Sequence, residues 1–425
     1  MDVYENTTIF IACPANCVTG GPELLHQLAS ELLRRGLRAF LWYPDAKSGC
    51  PPQPGEYRKY RVPYVQNITD APEHIVMFPE TMTVLLPRIH HARCILWWLS
   101  VDNYLNSLRD FFADPPSTFA SRPLAEQIFL FSPGTRLEHW VQSEYARQFV
   151  LQNHVPAAQV YTVGDYLQSA THLGALGTTA GGRLDIVTYN PKKGFEFTQK
   201  LIDAAPDIKW APIINMTAEE VHTLLAHAKC YIDFGNHPGQ DRLPREAAMA
   251  GCCVITGRRG AAANDIDVPI PASYKFDNHQ ESIPRILACI RSCLTAYAVH
   301  RPAFKAYRAM IAGQKERFRH DVAAALPVRY DVPARRHIVV QNGPHLKDRL
   351  LTLLSDATID IVGVWFDEIG PGEVRLGQHE IPILWPDEVP FLYQEGRIDA
   401  ILLDETNGKG AAELAAHGVP DSILC

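Results

Sequence analysis

The chain has 425 residues, too many for one ordinary hydrophobic core, so two or three domains are expected. It is 47% hydrophobic and 20% charged, an ordinary balance for a soluble globular protein. With a net charge of −7 it carries no basic field for nucleic acid or an acidic membrane surface, so nucleic acid is not an expected partner.

Ten cysteines are scattered along the chain, among them Cys230, Cys252, Cys253, Cys289 and Cys293 in apolar runs. They read as small core fillers rather than a disulfide framework. Cys13 and Cys17 lie four apart without the second pair a zinc site needs, so no metal is expected. The N-terminus enters the strand-like TTIFIAC directly, without a basic leader and cleavage site. No apolar run reaches the roughly 18–20 residues of a membrane span. A cytoplasmic protein is expected; peripheral docking at the inner face of a membrane stays open.

Residues 1–165 read as a first α/β domain. A strand at residues 8–13, the turn VTGGP, and a helix at 23–35 with Leu24, Leu25, Leu28, Leu32 and Leu33 on one face precede a strand at 37–43. This is one β-α-β unit, expected parallel with a right-handed crossover. Further strands are expected at 74–78, 94–98, 128–131 and 139–142. In ILWWLSVDNYL the adjacent tryptophans should point to opposite faces. The Thr-, Gly- and Ala-rich stretch 162–183 reads as a linker loop. A second α/β domain, 183–330, opens with LDIVTYN and closes in a helical stretch broken at Pro302. A third, smaller α/β domain, 336–425, reads as the start of a Rossmann-like unit that stops after few elements. Either it is truncated or another subunit completes its sheet, which leaves oligomerisation through it open. Its first turn, N-G-P, lacks the glycine pattern of NAD sites.

The most informative stretch is DFGNHPGQDRLPREAAMAGCCVITG, residues 233–257. Cys230–Phe234 is a buried strand by composition, and Gly235, Pro238 and Gly239 break it. Asp241 can cap the following helix, Pro244 is tolerated in its first turn, and Gly251 ends it. Ligands of open α/β sheets bind outside the carboxyl ends of the strands, where a helix N-terminus attracts phosphate. A carboxylate there, Glu246, can accept both hydroxyls of a ribose. The residues suggest a nucleotide site; the bland alternative is a glutamate complementing a helix dipole.

This stretch resembles the donor-binding segment of GT-B glycosyltransferases, particularly the retaining group patterned Glu-x7-Glu and then Ala-x-Ala-x-Gly. Glu246 matches the second Glu, which in that family binds the ribose; the first, which contacts the sugar, falls on Pro238. The resemblance implies two Rossmann-like domains facing a cleft, the GT-B arrangement, here with the smaller C-terminal domain appended. It implies Gly20 and Gly21 facing the donor, and Lys193-Gly194 gripping its diphosphate. The family's neighbouring Arg is replaced by Tyr189 or Asn190, with Lys192, Arg258 and Arg259 as substitutes. Gly239 and Gly260, with Arg258, complete the expected donor set; Asn264 and Asp265 could bind the sugar. Asp102 and Glu80, at strand ends, are candidates for acceptor binding or for a base if the enzyme inverts. Ser143 is a helix cap or a ligand contact.

The implied activity is transfer of a sugar from a nucleotide-sugar donor to a glycan or lipid-linked acceptor in bacterial polysaccharide or surface-glycan synthesis. It would be retaining and metal-independent, with no cofactor, since the nucleotide sugar is a substrate. Two alternatives stay open: a GT-B protein that binds a glycan or nucleotide without transfer, and a nucleotide-sugar epimerase.

Overall fold

A computed structural model describes every residue except 47–50, 115–122, 125–126, 132–136, 180–181, 332–335, 357, 367–372, 377–378, 404–407 and 425. The chain divides into two compact units: Met1–Val3 with Asp70–Pro327, and Tyr4–Thr69 with Val328–Cys425. Both are α/β.

Tyr4–Thr69 opens with strand β1 (Thr8–Ala12), helix α1 (Gly20–Arg34) and strand β2 (Arg38–Trp42). The strands pair in parallel, Thr8 beside Arg38 through Ala12 beside Trp42, as the sequence predicts. Leu24, Leu25, Leu28 and Leu32 are buried along one face of α1. The helix starts three residues earlier than its leucine pattern indicates, so Gly20 and Gly21 form its first turn. A short strand, β3 (Tyr64–Val65), extends this group beside β2.

In the larger unit, β4 (Ile75–Pro79), β5 (Arg93–Trp98), β6 (Leu137–Val141) and β7 (Val160–Thr162) run parallel in chain order. Helices α2 (Val101–Ala113) and α3 (Glu144–Gln152) follow β5 and β6. Trp97 and Trp98 do face opposite ways: Trp97 donates to the carbonyl of Val163, Trp98 to Nδ1 of His139. Burial lowers the pKa of His139 to about 4, which keeps its ring neutral and able to accept that bond. The strand expected at 128–131 does not form. Both edges of β5 are taken by β4 and β6, and Phe129 and Phe131 instead cover the Trp98 ring.

The expected linker is also revised. Residues Ala170–Thr179 form helix α4. A side chain at Gly177 would meet the carbonyl of Ala250 at 2.6 Å, so the glycine that suggested a loop serves a close helix crossing.

A second sheet follows: β8 (Leu184–Tyr189), α5 (Phe195–Ala204), β9 (Lys209–Pro212), α6 (Ala218–His227), β10 (Ala228–Asp233), α7 (Arg242–Ala250), β11 (Cys253–Gly257) and β12 (Lys275–Phe276). Its order is β12-β11-β10-β8-β9, all parallel. Such strands, covered on both faces, read as continuous apolar runs, as Cys230–Phe234 does. Helices α8 (Ile283–Thr295), α9 (Tyr297–His300), α10 (Lys305–Ala312) and α11 (Gln314–Ala325) close the unit, with Pro302 in a 3-10 turn between α9 and α10.

The remainder of the smaller unit is a five-stranded sheet. It comprises β13 (Arg336–Gln341), α12 (Leu346–Leu354), β14 (Ile359–Trp365), β15 (Glu373–Leu376), β16 (His379–Leu384), α13 (Glu388–Gln394), β17 (Ala400–Leu402) and α14 (Gly408–Ala416). The order is β15-β16-β14-β13-β17, with β15 and β16 antiparallel. The sequence reading lacked β15, β16 and α13. The side chains of Ile338 and Val340 enter one core, and that of Val339 enters the core on the opposite face.

Within the larger unit the two sheets are tied by a buried ion pair. Asp165, just after β7, accepts from both terminal nitrogens of Arg245 on α7, at 3.0 and 2.7 Å. Both residues are almost wholly buried. Asp165→Ala leaves the guanidinium uncompensated and should cost about 3–5 kcal/mol in urea unfolding. Asp165→Leu with Arg245→Met, which removes both charges, should cost clearly less than the single change.

Candidate functional site

The order β11-β10-β8-β9 places the reversal of strand order between β8 and β10. The loops leaving these two strands are therefore the ones that border a crevice in a doubly wound sheet. They are residues 190–194 and 234–241, and they touch. Gly194 adopts φ 60°, and a side chain on it would strike the backbone of Phe234–Gly235 at 2.5 Å. Lys193 reaches across to Asp241, Nζ to Oδ2 2.7 Å.

Asp241 does occupy the N-cap position of α7, but its side chain makes no capping bond. The expected cap is thus corrected: the carboxylate prefers the ammonium of Lys193, a charge-assisted bond roughly twice as strong as a neutral one. Pro244 lies in the first turn, and Gly251 ends the helix at φ 97°, as the sequence indicates. Glu246, one turn further on, is 4% exposed. Its Oε1 accepts from Arg242 at 3.0 Å and from the Ser169 hydroxyl at 3.5 Å, with His222 Nε2 at 4.0 Å. Burial lowers the pKa of His222 despite the pull of Glu246, so the imidazole is a neutral neighbour at pH 7.

Between these groups lies His237, unremarked in the sequence and 1% exposed. Its Nε2 is 3.5 Å from Asp233 Oδ1, and its Nδ1 is 3.6 Å from Asp241 Oδ2. Burial disfavours its charge, but the carboxylates of Asp233 and Asp241 outweigh that and hold its pKa above the ordinary value. Asp233, Asp241 and His237 are close enough together to suggest a cation site. The carboxylates flank opposite ring nitrogens, so an ion held at one nitrogen would leave the other facing a carboxylate. The arrangement fits an imidazolium between two carboxylates.

The loop abuts the carboxyl ends of β5 and β6. Asp102, in the first turn of α2, accepts from the amide of Asn236, and the carbonyl of Pro238 accepts from Val101 N at 3.2 Å. A side chain on Gly239 would lie 2.4 Å from Gln142 Oε1 and 2.5 Å from the carbonyl of Leu99, so this glycine seats the loop on the first sheet. Gln142 also accepts from Gln240 N at 3.2 Å. Asp102 thus faces the loop that leaves β10. Glu80 does not: it is 2% exposed beneath β5, accepting from Leu99 N at 2.9 Å. Desolvation raises its pKa to about 7.

Other candidates separate. Ser143 caps α3 through Ala146 N at 3.1 Å, and Ser100 caps α2. Arg258 and Arg259 are exposed beyond β11. Gly260, at φ 57°, bridges to the backbone of His237. Asp265 pairs with Lys275, and Asn264 turns its own loop. Lys192 lies in the loop after β8 with its N–H on the Asn190 side chain. Gly20 and Gly21 belong to the other compact unit. A cavity of about 240 Å³ borders the loop at Gln142, Gln240, Asp165 and Asp267, but neither Lys193 nor Glu246 lines it. Asp267, Arg245 and His237 escaped sequence reading. The available signal was a charged residue inside an apolar or alanine-rich run, as Arg245 is in PREAAMAG.

No family model matches the sequence, and no curated protein matches it. Among solved structures, HepE from Anabaena in complex with UDP-glucose is similar at 12% identity and TM-score 0.47, over 75% of this chain and 98% of that one. WaaG, a glycosyltransferase involved in lipopolysaccharide biosynthesis, is similar at 11% identity and TM-score 0.44, over 75% and 98%. The catalytic domain of starch synthase IV from Arabidopsis thaliana, bound to ADP and acarbose, is similar at 11% identity and TM-score 0.42, over 74% and 99%. Identities of this order assign no substrate. Among the described residues no helix is long and apolar enough to cross a membrane.

Glu80 offers a direct test of the electrostatics beneath β5. Its folded pKa lies above the ordinary value of 4.5, so the stability this group confers is present below pH 4.5 and is lost as pH rises through about 7. His237 acts in the same direction, so the difference between variants is the informative quantity. Glu80→Gln, which keeps an acceptor for Leu99 N, should lose less stability than the wild type between pH 5 and 8 in urea unfolding. The gap should be on the order of a few kcal/mol at pH 8.

Proposed function

We propose that this chain is a nucleotide-sugar-dependent glycosyltransferase of the GT-B type. The observation that carries the reading is the placement of Lys193 and the buried Glu246 around the two touching loops at the β8–β10 reversal. A diphosphate needs fixed cations where charge builds on the leaving group, and Lys193, with a rigid backbone behind it, meets that need. A ribose needs a buried acceptor carboxylate, and Glu246 meets that one. The sugar would then project toward Asp102 and Asn236, on the side from which an acceptor would approach.

Retention of configuration follows most simply in this reading. Glu80 is enclosed and hydrogen-bonded to Leu99 N, and Asp102 is engaged by Asn236, so neither stands ready as a base. The leaving phosphate itself can take the acceptor proton. The acceptor is proposed as a glycan or lipid-linked saccharide of a bacterial surface polymer, with the protein acting in the cytoplasm.

One observation favours a second reading, a protein that binds the donor without transferring it. Both donor-contacting groups already have protein partners, Asp241 on Lys193 and Arg242 on Glu246. Calorimetric titration with UDP-, GDP-, dTDP-, ADP- and CMP-linked sugars should identify one bound nucleotide. Glu246→Ala and Lys193→Met should each weaken it about tenfold or more. Binding with no sugar transferred or hydrolysed, over a broad acceptor panel, would favour the second reading. No binding by a folded chain would remove both.

A further inference from the structure

The smaller unit holds a cavity of about 280 Å³ between its N-terminal and C-terminal segments. Arg34, Arg61, Arg397 and His337 line it, with Asp360 as the single carboxylate among the lining residues. Arg61 spends one terminal nitrogen on Glu388 Oε2, at 2.5 Å, and on the carbonyl of Ile383, at 2.8 Å. Its Nε is buried without a partner. Arg397 donates from Nη2 to the carbonyl of Arg61 at 3.0 Å, while its Nη1 is buried and unpartnered. Burial lowers the Arg397 pKa to about 10; Glu395 opposes that shift and Arg61 adds to it. The group is still fully charged at neutral pH.

A mostly buried guanidinium held by a backbone carbonyl, with a further N–H that lacks a partner, is an expensive arrangement for a stability role alone. An anion in the cavity would offset the positive charge of the three arginines that line it. Asp360 is half exposed and 3.8 Å from His337 Nε2, so solvent and the imidazole screen its opposing charge. A planar carboxylate is best gripped by the fork of one arginine. Here the guanidinium groups come from arginines on separate segments, which suits an acceptor with oxygens in several directions.

We propose that this cavity is a phosphate-binding site, taking the phosphomonoester of a small molecule or a lipid headgroup through the guanidinium groups of Arg34, Arg61 and Arg397 that line it. It is independent of the donor loop of the larger unit. Occupancy joins residues 61 and 397, and so links the two segments that compose this unit.

The test is calorimetric titration of the full chain with inorganic phosphate at constant ionic strength. Arg397→Met should weaken binding by about tenfold or more, the loss expected for one charge-assisted donor. Arg34→Gln, a change at the half-buried C-terminal end of α1 that covers the case of a poorly folded Arg397 variant, should weaken it by a smaller factor. Lys193→Met should retain the binding that Arg397→Met removes. Sedimentation with phosphatidic acid vesicles, but not with phosphatidylcholine vesicles, and its loss in Arg397→Met, would identify a lipid headgroup. Phosphate binding without such sedimentation would identify a soluble phosphomonoester. No phosphate binding, binding indifferent to both arginine changes, or binding abolished by Lys193→Met would each overturn the proposal.

Discussion

The larger unit depends on the satisfaction of one buried cation. Arg245 presents five N–H donors, and the protein supplies five acceptor contacts: both oxygens of Asp165, Gln314 Oε1, and the carbonyls of Gln240 and Asp241. Desolvating a guanidinium costs several kcal/mol unless every donor is met, so the surrounding elements are held to the positions that meet them. The segment after β7, the start of α11 and the last residues of the loop leaving β10 are fixed by the same group. Gln314 extends the network to the side chain of Gln240, which in turn meets Gln142 at the end of β6. The geometry of the candidate site is inherited from this anchor.

On that fixed loop the charged groups are paired in ways that differ in strength. Lys193 with Asp241 and Arg242 with Glu246 each pair a partly exposed cation with a carboxylate that is mostly buried. An entering anion or hydroxyl can reach the cation from the solvent side and exchange with its partner. His237 is different, because it is enclosed and flanked by carboxylates on both ring edges. It belongs to the framework that holds the loop, whereas Lys193 and Arg242 can exchange partners. A preorganised loop with replaceable surface partners is what binding of a charged ligand requires, since the cost of ordering has already been met.

Much of this was legible in the chain. The β1-α1-β2 unit followed from leucine spacing, and β10, α7 and β11 from an apolar run, a glycine stop and a second apolar run. Glu246 was singled out as a carboxylate near the start of a helix that follows a strand, and Lys193 through the resemblance to the GT-B donor segment. Misreadings arose where one residue type serves two purposes. The glycines of 170–179 suggested a loop but permit a close helix crossing. Phe129 and Phe131 suggested a strand but fill the space over Trp98. Asp241 had the right position for a cap but found a stronger partner 48 residues away.

By itself, then, the sequence determined the α/β class, the parallel strands and the strand–loop–helix–strand order of residues 233–257, because these rest on periodicity and turn chemistry within a few residues. Only the tertiary structure decided which carboxylate meets which cation. It set Asp165 on Arg245, Asp241 on Lys193 and His237 between two aspartates, and it gathered Arg34, Arg61 and Arg397 around one cavity. Such pairings join residues far apart in the chain, and electrostatics and desolvation select them only after packing has brought the groups together.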